Sequence, residues 1–101
     1  MTTIANEILA QLGGNRFAAM TGAKNFIAHA DGLSFKLPAR FARDGINHVR
    51  VTLTDSDLYD VTFSKFNARK LELSEVAKRD GLYNDNLQAI FTEVTGLDTR
   101  I

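Results

Sequence analysis

The chain contains two histidines, His29 and His48, and these are its best candidates for acid–base chemistry. A catalytic base must reach a nucleophile or a polarised water. The sequence has no cysteine, and none of its serines stands in the Gly-x-Ser-x-Gly pattern of a nucleophile elbow. We therefore interpret both histidines as structural or solvated residues. We expect a protein that is not an enzyme and that uses no cofactor.

The densest group of carboxylates consists of Asp55, Asp57 and Asp60. A calcium loop of the EF-hand type needs oxygen ligands at alternating positions, glycine at position six and glutamate at position twelve. Counted from Asp55, position six is Asp60 and position twelve is Phe66, so the pattern fails. A hairpin turn capped by Asp55 and Asp57 explains the group without a metal ion.

Two glycine-containing segments, 13–16 and 22–24, have some likeness to phosphate-binding loops. A Walker A loop needs a buried strand before it, the spacing G-x-x-x-x-G-K-[ST], and a helix after it. The sequence has neither that spacing nor that order of elements. We expect Gly13 and Gly14 to end a helix and Gly22 to form a tight turn.

The basic residues are the positive indication of function. The net charge is zero, yet six basic and two acidic residues stand between Gly13 and Thr54, whereas six basic and nine acidic residues follow from Asp55 onwards. Such an asymmetry can orient a protein toward a polyanion, and Lys and Arg side chains contact phosphates as point charges or forks. The predicted nucleic-acid contacts are Lys24, Lys36, Arg40, Arg43, His48 and Arg50.

Strand alternation decides whether these residues share a surface. Apolar and polar residues alternate along 33–37, 49–53 and 59–63, which predicts three half-buried strands of an antiparallel sheet. The same alternation sends Lys36, His48 and Arg50 to one polar face. A plain solvated sheet face is the alternative interpretation of these cations.

Aromatic residues bear on the same question, because proteins that bind single strands usually present rings on which bases stack. Alternation sends Tyr59 and Phe63 to the core side of their strand. Phe41, in the loop 39–45, is then the one ring that we expect to be exposed. The scarcity of exposed rings argues against stacking and leaves charge as the main indication.

Helices are predicted at both ends of the chain. Apolar residues recur at helical spacing over about Thr3 to Leu12, and again at Leu87, Ile90, Phe91 and Val94. Between them, 17–21 and 25–30 are predicted as short strands, and Asp31-Gly32 is predicted as a hairpin turn. The segment 71–78 is predicted as either a short helix or a fifth strand, and it is expected to close at Asp80-Gly81. The sequence thus predicts a single α+β domain over residues 1–101, with an N-terminal helix, an antiparallel meander of about four strands, and a C-terminal helix packed on one sheet face.

The cellular setting is inferred by elimination. Met1 to Asn6 has neither the basic nor the apolar region of a signal peptide. No stretch approaches the roughly 20 apolar residues that span a bilayer. We expect a cytoplasmic protein without a membrane partner.

Several blocks of the sequence resemble a known family. They are 11–17 (QLGGNRF), 20–25 (MTGAKN), 58–61 (LYDV), Leu82-Tyr83 and 91–97 (FTEVTGL). Together they are similar to a family of small proteins of tailed bacteriophages and related mobile elements. The resemblance implies a phage or prophage origin and expression in the cytoplasm of a bacterial host, and it implies no activity, cofactor or site.

Two hypotheses follow. The first is a phage-type accessory protein that contacts nucleic acid through the cationic sheet face, as a monomer or as a homodimer. The second is an inhibitor or adaptor that docks on a host or phage protein, for example a defence or transcription component. A large exposed apolar patch would favour the second hypothesis, as would an acidic patch formed by Asp80, Asp85, Glu93 and Asp98.

Overall fold

Five strands form one antiparallel sheet whose order in space is their order in the chain. The computed structural model describes residues 3–38 and 42–97. Short 3-10 turns cover Arg43–Gly45 and Asn84–Asn86. The helices and strands are α1 (Thr3–Leu12), α2 (Gly14–Thr21), β1 (Lys24–His29), β2 (Gly32–Lys36), β3 (His48–Leu53), β4 (Tyr59–Asn67), β5 (Glu72–Leu82) and α3 (Leu87–Thr95).

One face of the sheet carries the core, as the alternation predicts. Two rows of apolar residues cross the central strands: Leu33, Val51 and Val61 in one row, and Phe35, Val49 and Phe63 in the next. All six are at most 4% exposed, and the buried residues of α1, α2 and α3 join them in one cluster. The α+β class is confirmed, with the C-terminal helix packed on one face of the sheet.

Phenylalanine rings join the helices to this face. The ring of Phe17 in α2 lies edge-on to Phe35, at 5.4 Å between centroids, and edge-on to Phe91 of α3, at 5.1 Å. Phe91 also lies 6.4 Å from Phe63. Such pairs add to the stabilisation that burial of the rings already gives. Helices α2 and α3 are therefore anchored on the same side of the sheet.

The prediction of a strand over 17–21 is wrong, because these residues form most of α2. Phe17 and Thr21 are four residues apart and both buried, which is the spacing of one helix face. The alanines at 18 and 19 have the highest helix propensity of any residue. Gly13 and Gly14 both adopt positive φ, so they turn the chain from α1 directly into α2.

Helices α2 and α3 end in the same way, with Phe-x-x-x-Thr-Gly. The buried Thr21 hydroxyl donates to the Phe17 carbonyl at 2.8 Å and accepts the Ala23 N–H at 3.2 Å. The Thr95 hydroxyl makes the equivalent bonds in α3. Each helix thus ends with its threonine fully hydrogen-bonded, and each following glycine is left-handed, at φ 73° and 76°.

The segment 71–78, which the sequence predicted as either a short helix or a fifth strand, belongs from Glu72 onwards to β5, a strand of 11 residues. It does not close at Asp80-Gly81 but continues to Leu82. Gly81 adopts φ +67° inside the strand, and its N–H donates to an Asp60 carboxylate oxygen at 3.0 Å. The local irregularity of β5 is therefore supported by a side chain of β4.

Candidate nucleic-acid interface

The sheet face opposite the helices brings together four of the six predicted contact residues. Lys24 of β1 lies directly across from Lys36 of β2, and Lys36 lies across from His48 of β3. Arg50 follows on β3, across from Ser34. Lys24, Lys36 and Arg50 are exposed and His48 is half-buried. We call Lys24, Lys36, His48 and Arg50 the cationic cluster, and the face that carries them the open face.

Two different features of the backbone place these residues. On β2 and β3, regular alternation puts Phe35 and Val49 in the core and therefore Lys36 and His48 on the open face. On β1 the register shifts between Lys24 and Ile27, and Asn25 adopts φ 55°.

The shift on β1 has a consequence for Lys24. The Phe26 ring contacts the core ring of Phe35, with 5.4 Å between their centroids, so a regular strand would put Lys24 on the core side too. Because of the bulge, Lys24 instead joins Lys36 and His48 around one cavity on the open face. The bulge therefore completes the cluster.

Burial and the neighbouring positive charges both act on the pKa of His48. Burial lowers the pKa of His48 below its ordinary 6.5, and the charges of Lys36, Arg50 and His29 lower it further. His48 is therefore mainly neutral at pH 7 and can act there as a hydrogen-bond donor or acceptor. The Arg50 guanidinium lies 3.7 Å from Asp31, but both side chains are about half exposed, so this ion pair holds Arg50 only weakly.

The lowered pKa of His48 has a consequence for stability. The unfolded chain binds a proton near pH 6.5, whereas the folded protein resists protonation, so the unfolded state holds more protons below that pH. We expect the free energy of unfolding to fall as the pH is lowered from about 7 to about 5.5, a window that lies above the ordinary carboxylate pKa values. Urea denaturation at a series of pH values measures this slope. It should be lost in H48Q, and an equal slope in H48Q would contradict the assignment to His48.

An exposed ring, Phe66, lies beside the cluster and was not expected from the sequence. It is 36% exposed, and the Lys36 ammonium lies 5.9 Å from its centroid. Phe66 lines a cavity of about 110 Å³ with Lys24, Lys36 and His48. A longer reading of the β4 alternation, through Thr62 and Ser64 to residue 66, would have placed this ring on the open face. Phe41, which the sequence favoured, lies outside the described residues.

The side chain of Asn47 fixes the backbone at Phe66. Its amide nitrogen donates to the Phe66 carbonyl at 3.1 Å, and its oxygen accepts the Phe66 N–H at 2.7 Å. Asn47 immediately precedes β3, so it extends the pairing of β3 with β4 by one residue before the start of the strand. Together with the pairing of Phe66 with Leu73 of β5, these two bonds fix the backbone that carries the ring at the edge of the cationic cluster.

Of the two other predicted contact residues, the described one, Arg43, lies away from the cluster. The Arg43 guanidinium donates to the Glu93 carbonyl at 3.3 Å, near the C-terminal end of α3, on the helix side of the sheet. There its charge interacts favourably with the last carbonyls of the helix. Arg40 lies outside the described residues.

Neither a metal site nor a membrane-spanning helix is found in the described segments. Across 3–38 and 42–97, no three His, Cys, Asp or Glu side chains converge as ligands would. Within the same residues, no helix has the length and apolar character needed to cross a bilayer.

The turn at Asp55 and Asp57 forms as expected, with the Asp57 N–H donating to the Thr54 carbonyl at 3.0 Å.

Comparison with known proteins gives no relative from which a function could be transferred. No match was found among protein-family models, curated proteins or solved structures. The resemblance to phage and mobile-element proteins accordingly stays a prediction. The function is argued below from the cationic cluster and the surfaces around it.

Proposed function

We propose that this chain is a phage-type accessory protein of the bacterial cytoplasm that binds nucleic acid through the cationic cluster. The observation that carries the proposal is the row of basic side chains across three neighbouring strands, on the sheet face opposite the helices. In this proposal the protein binds and does not catalyse, because the cluster supplies positive charge beside a neutral imidazole and offers no activated nucleophile.

The pairing of Lys24 with Lys36 supports this role. Like charges directly opposite on neighbouring strands destabilise a sheet, and a phosphate placed between them would remove the repulsion. Arg50 can grip a phosphate with two N–H groups, while the lysines act as point charges. Asp31 can be displaced from Arg50 with little loss, because their contact is long and exposed.

Proton uptake should accompany binding. A phosphate near His48 counters the charges of Lys36 and Arg50, which are among the causes of its lowered pKa. Binding therefore raises the pKa of His48, and affinity should increase as the pH falls toward and below 6.5. This pH dependence would tie affinity to a residue of the cluster instead of to net charge.

The proposal is tested by titrating fluorescent single- and double-stranded oligonucleotides with the protein. We expect a Kd below ~100 μM at ~50 mM salt, and a slope of log K against log salt of about −2 to −3, because Lys24, Lys36 and Arg50 provide three phosphate contacts. Absence of binding at this concentration and salt would discard the proposal.

A matched pair of variants distinguishes the effect of the cluster on binding from the effect of overall charge. K36Q and R43Q each remove one positive charge, but only Lys36 belongs to the cluster. We expect K36Q to bind more weakly with a salt slope smaller by about one, and R43Q to bind like the unmodified protein. Equal losses in the two variants would mean that the cluster is not the site.

A second candidate function is favoured by exposed apolar side chains at the end of the β4–β5 hairpin. Leu71 is 79% exposed, and Leu73, which pairs with Phe66 of β4, is 54% exposed. Such a patch is typical of a protein-docking surface, as expected for an inhibitor or adaptor. Of the acidic residues considered for that role, Asp80, Asp85 and Glu93 are exposed and Asp98 lies outside the described residues. A partner retained from bacterial lysate after nuclease treatment, and lost in L73D but not in K36Q, would favour this candidate.

A further inference from the structure

The outer edge of β5 is the longest unpaired strand edge in the described part of the chain. β5 spans 11 residues, is the last strand of the sheet, and pairs with β4 on its inner edge. Almost all of its residues are exposed, including Leu73 and Val76, at 54% and 38%. A long exposed edge with apolar side chains is a template for pairing with another strand.

The opposite edge of the sheet is less suited to pairing. β1 has six residues, and the bulge between Lys24 and Ile27, with Asn25 at positive φ, interrupts its ladder. Bulges of this kind protect strand edges. β5 is therefore the edge at which a further strand can be added.

The charges along β5 indicate that the added strand is β5 of a second copy of this chain. Glu72 and Glu75 lie in its first half, whereas Lys78, Arg79 and Asp80 give its second half a net positive charge. The Lys78 ammonium lies 3.8 Å from the Asp80 carboxylate, but both side chains are about half exposed, so this ion pair holds Lys78 only weakly. Antiparallel pairing of two identical strands places the first half of one beside the second half of the other. Opposite charges then meet across the new pair, whereas parallel pairing would bring like charges together.

A local irregularity puts the relevant side chains on the same face. Glu75 lies across from Ser64 and Ala77 across from Phe63, so Val76 is an extra residue on β5. Because of it, Glu75 and Lys78 both point to the open face, where their β4 neighbours are Ser64 and Thr62. In a regular strand, residues three apart would point to opposite faces.

We propose that two copies of this chain associate through antiparallel pairing of their β5 strands, with Glu75 of each copy facing Lys78 of the other. The two sheets join into one sheet of ten strands, and the two-fold axis passes between the β5 strands, perpendicular to the sheet. Both open faces then lie on the same side, so that a nucleic acid could contact both cationic clusters. The association itself does not depend on nucleic-acid binding.

Charge reversal tests this pairing without nucleic acid. Sedimentation equilibrium from micromolar to millimolar concentration should show a monomer–dimer equilibrium for the unmodified chain. E75K and K78E each place two like-charge pairs across the interface, and each should raise the dimer dissociation constant about 10-fold or more, which corresponds to about 1.4 kcal/mol. Because Ser64 and Thr62 are uncharged, the reversals leave the charge pairing of β4 with β5 unchanged. K78E also removes the exposed Lys78–Asp80 ion pair within its own strand, which contributes little to stability, and circular dichroism checks the fold.

Mixing the two variants provides the decisive outcome. An E75K chain facing a K78E chain restores opposite charges at both contacts, so an equimolar mixture should dimerise like the unmodified chain. The proposal is overturned if the unmodified chain stays monomeric, if neither reversal weakens the dimer, or if the mixture fails to restore it.

A cross-link locates the interface independently. The chain has no cysteine, so V76C and I27C each introduce a single thiol on an exposed apolar position of β5 and β1. Val76 lies next to the two-fold axis of the proposed dimer, within the roughly 7 Å that a disulfide can span between Cα atoms. Mild oxidation should therefore give covalent dimers of V76C and not of I27C. The reverse result would place the interface at β1 and overturn the proposal.

Discussion

Replacing Gly32 by alanine is expected to lower the free energy of unfolding by about 3 kcal/mol. Gly32 begins β2, between His29 of β1 and Thr52 of β3. An added Cβ would lie 2.0 Å from the Val51 carbonyl oxygen and 3.0 Å from its carbonyl carbon. The clash is with backbone, so the relief must come from moving a central strand. Urea denaturation followed by circular dichroism measures the loss.

A second glycine variant controls for conformational strain. Gly14 has φ +61° and nothing within 4 Å of its would-be Cβ, whereas Gly32 is not at positive φ. G14A should therefore lose about 1 kcal/mol through strain alone. If G32A is no more destabilised than G14A, the close approach of β2 and β3 is not as described.

Reversing the charge of Lys24 is expected to separate binding from stability. K24E replaces the Lys24–Lys36 repulsion by an attraction across β1 and β2, which should stabilise the fold by a few tenths of a kcal/mol to about 1 kcal/mol. The same change removes a phosphate contact worth about 1.5 kcal/mol and adds repulsion, so affinity for an oligonucleotide should fall about 10-fold or more. Denaturation and fluorescence titration of one preparation measure both effects.

Arg16 offers a control with the same change of charge. It is exposed on α2, which packs on the other side of the sheet. R16E should leave oligonucleotide affinity close to that of the unmodified protein. A similar loss in R16E and K24E would show that net charge, and not the position of the cluster, governs binding.

The parts of the fold that could be predicted from sequence are those with simple periodicity. Alternation along β2 and β3 placed Phe35 and Val49 in the core and so placed Lys36 and His48 together on the open face. Helical spacing likewise identified α1 and α3. In each case one dominant period follows directly from burial of one face.

The rest depended on features that periodicity does not encode. The short α2 depends on packing of Phe17 and on the hydrogen bonds of Thr21, and its alanines carry no period. Lys24 reaches the cluster through a bulge, which changes the face of a residue without changing composition. The sequence grouped Arg43 with the cations of the open face because its partner, the Glu93 carbonyl on the helix side, lies 50 residues away in the chain.

Phe66 shows a different reason for an incomplete prediction. The alternation that identified β4 continues to this ring, but the strand was expected to end before it. On one side the Asn47 side chain replaces a backbone partner of residue 66, and on the other side residue 66 pairs with Leu73 of β5. Side-chain mimicry of a strand cannot be recognised from spacing alone.

The most direct test of the nucleic-acid interface is an NMR titration of labelled protein with a short oligonucleotide at low salt. Binding through the open face should shift the amide signals of Lys24, Lys36, His48 and Arg50, and the ring signals of His48 and Phe66. Signals of α3, on the other side of the sheet, should stay unchanged. Shifts that concentrate on α1 and α3, or a complex that leaves the cluster unperturbed, would contradict the account.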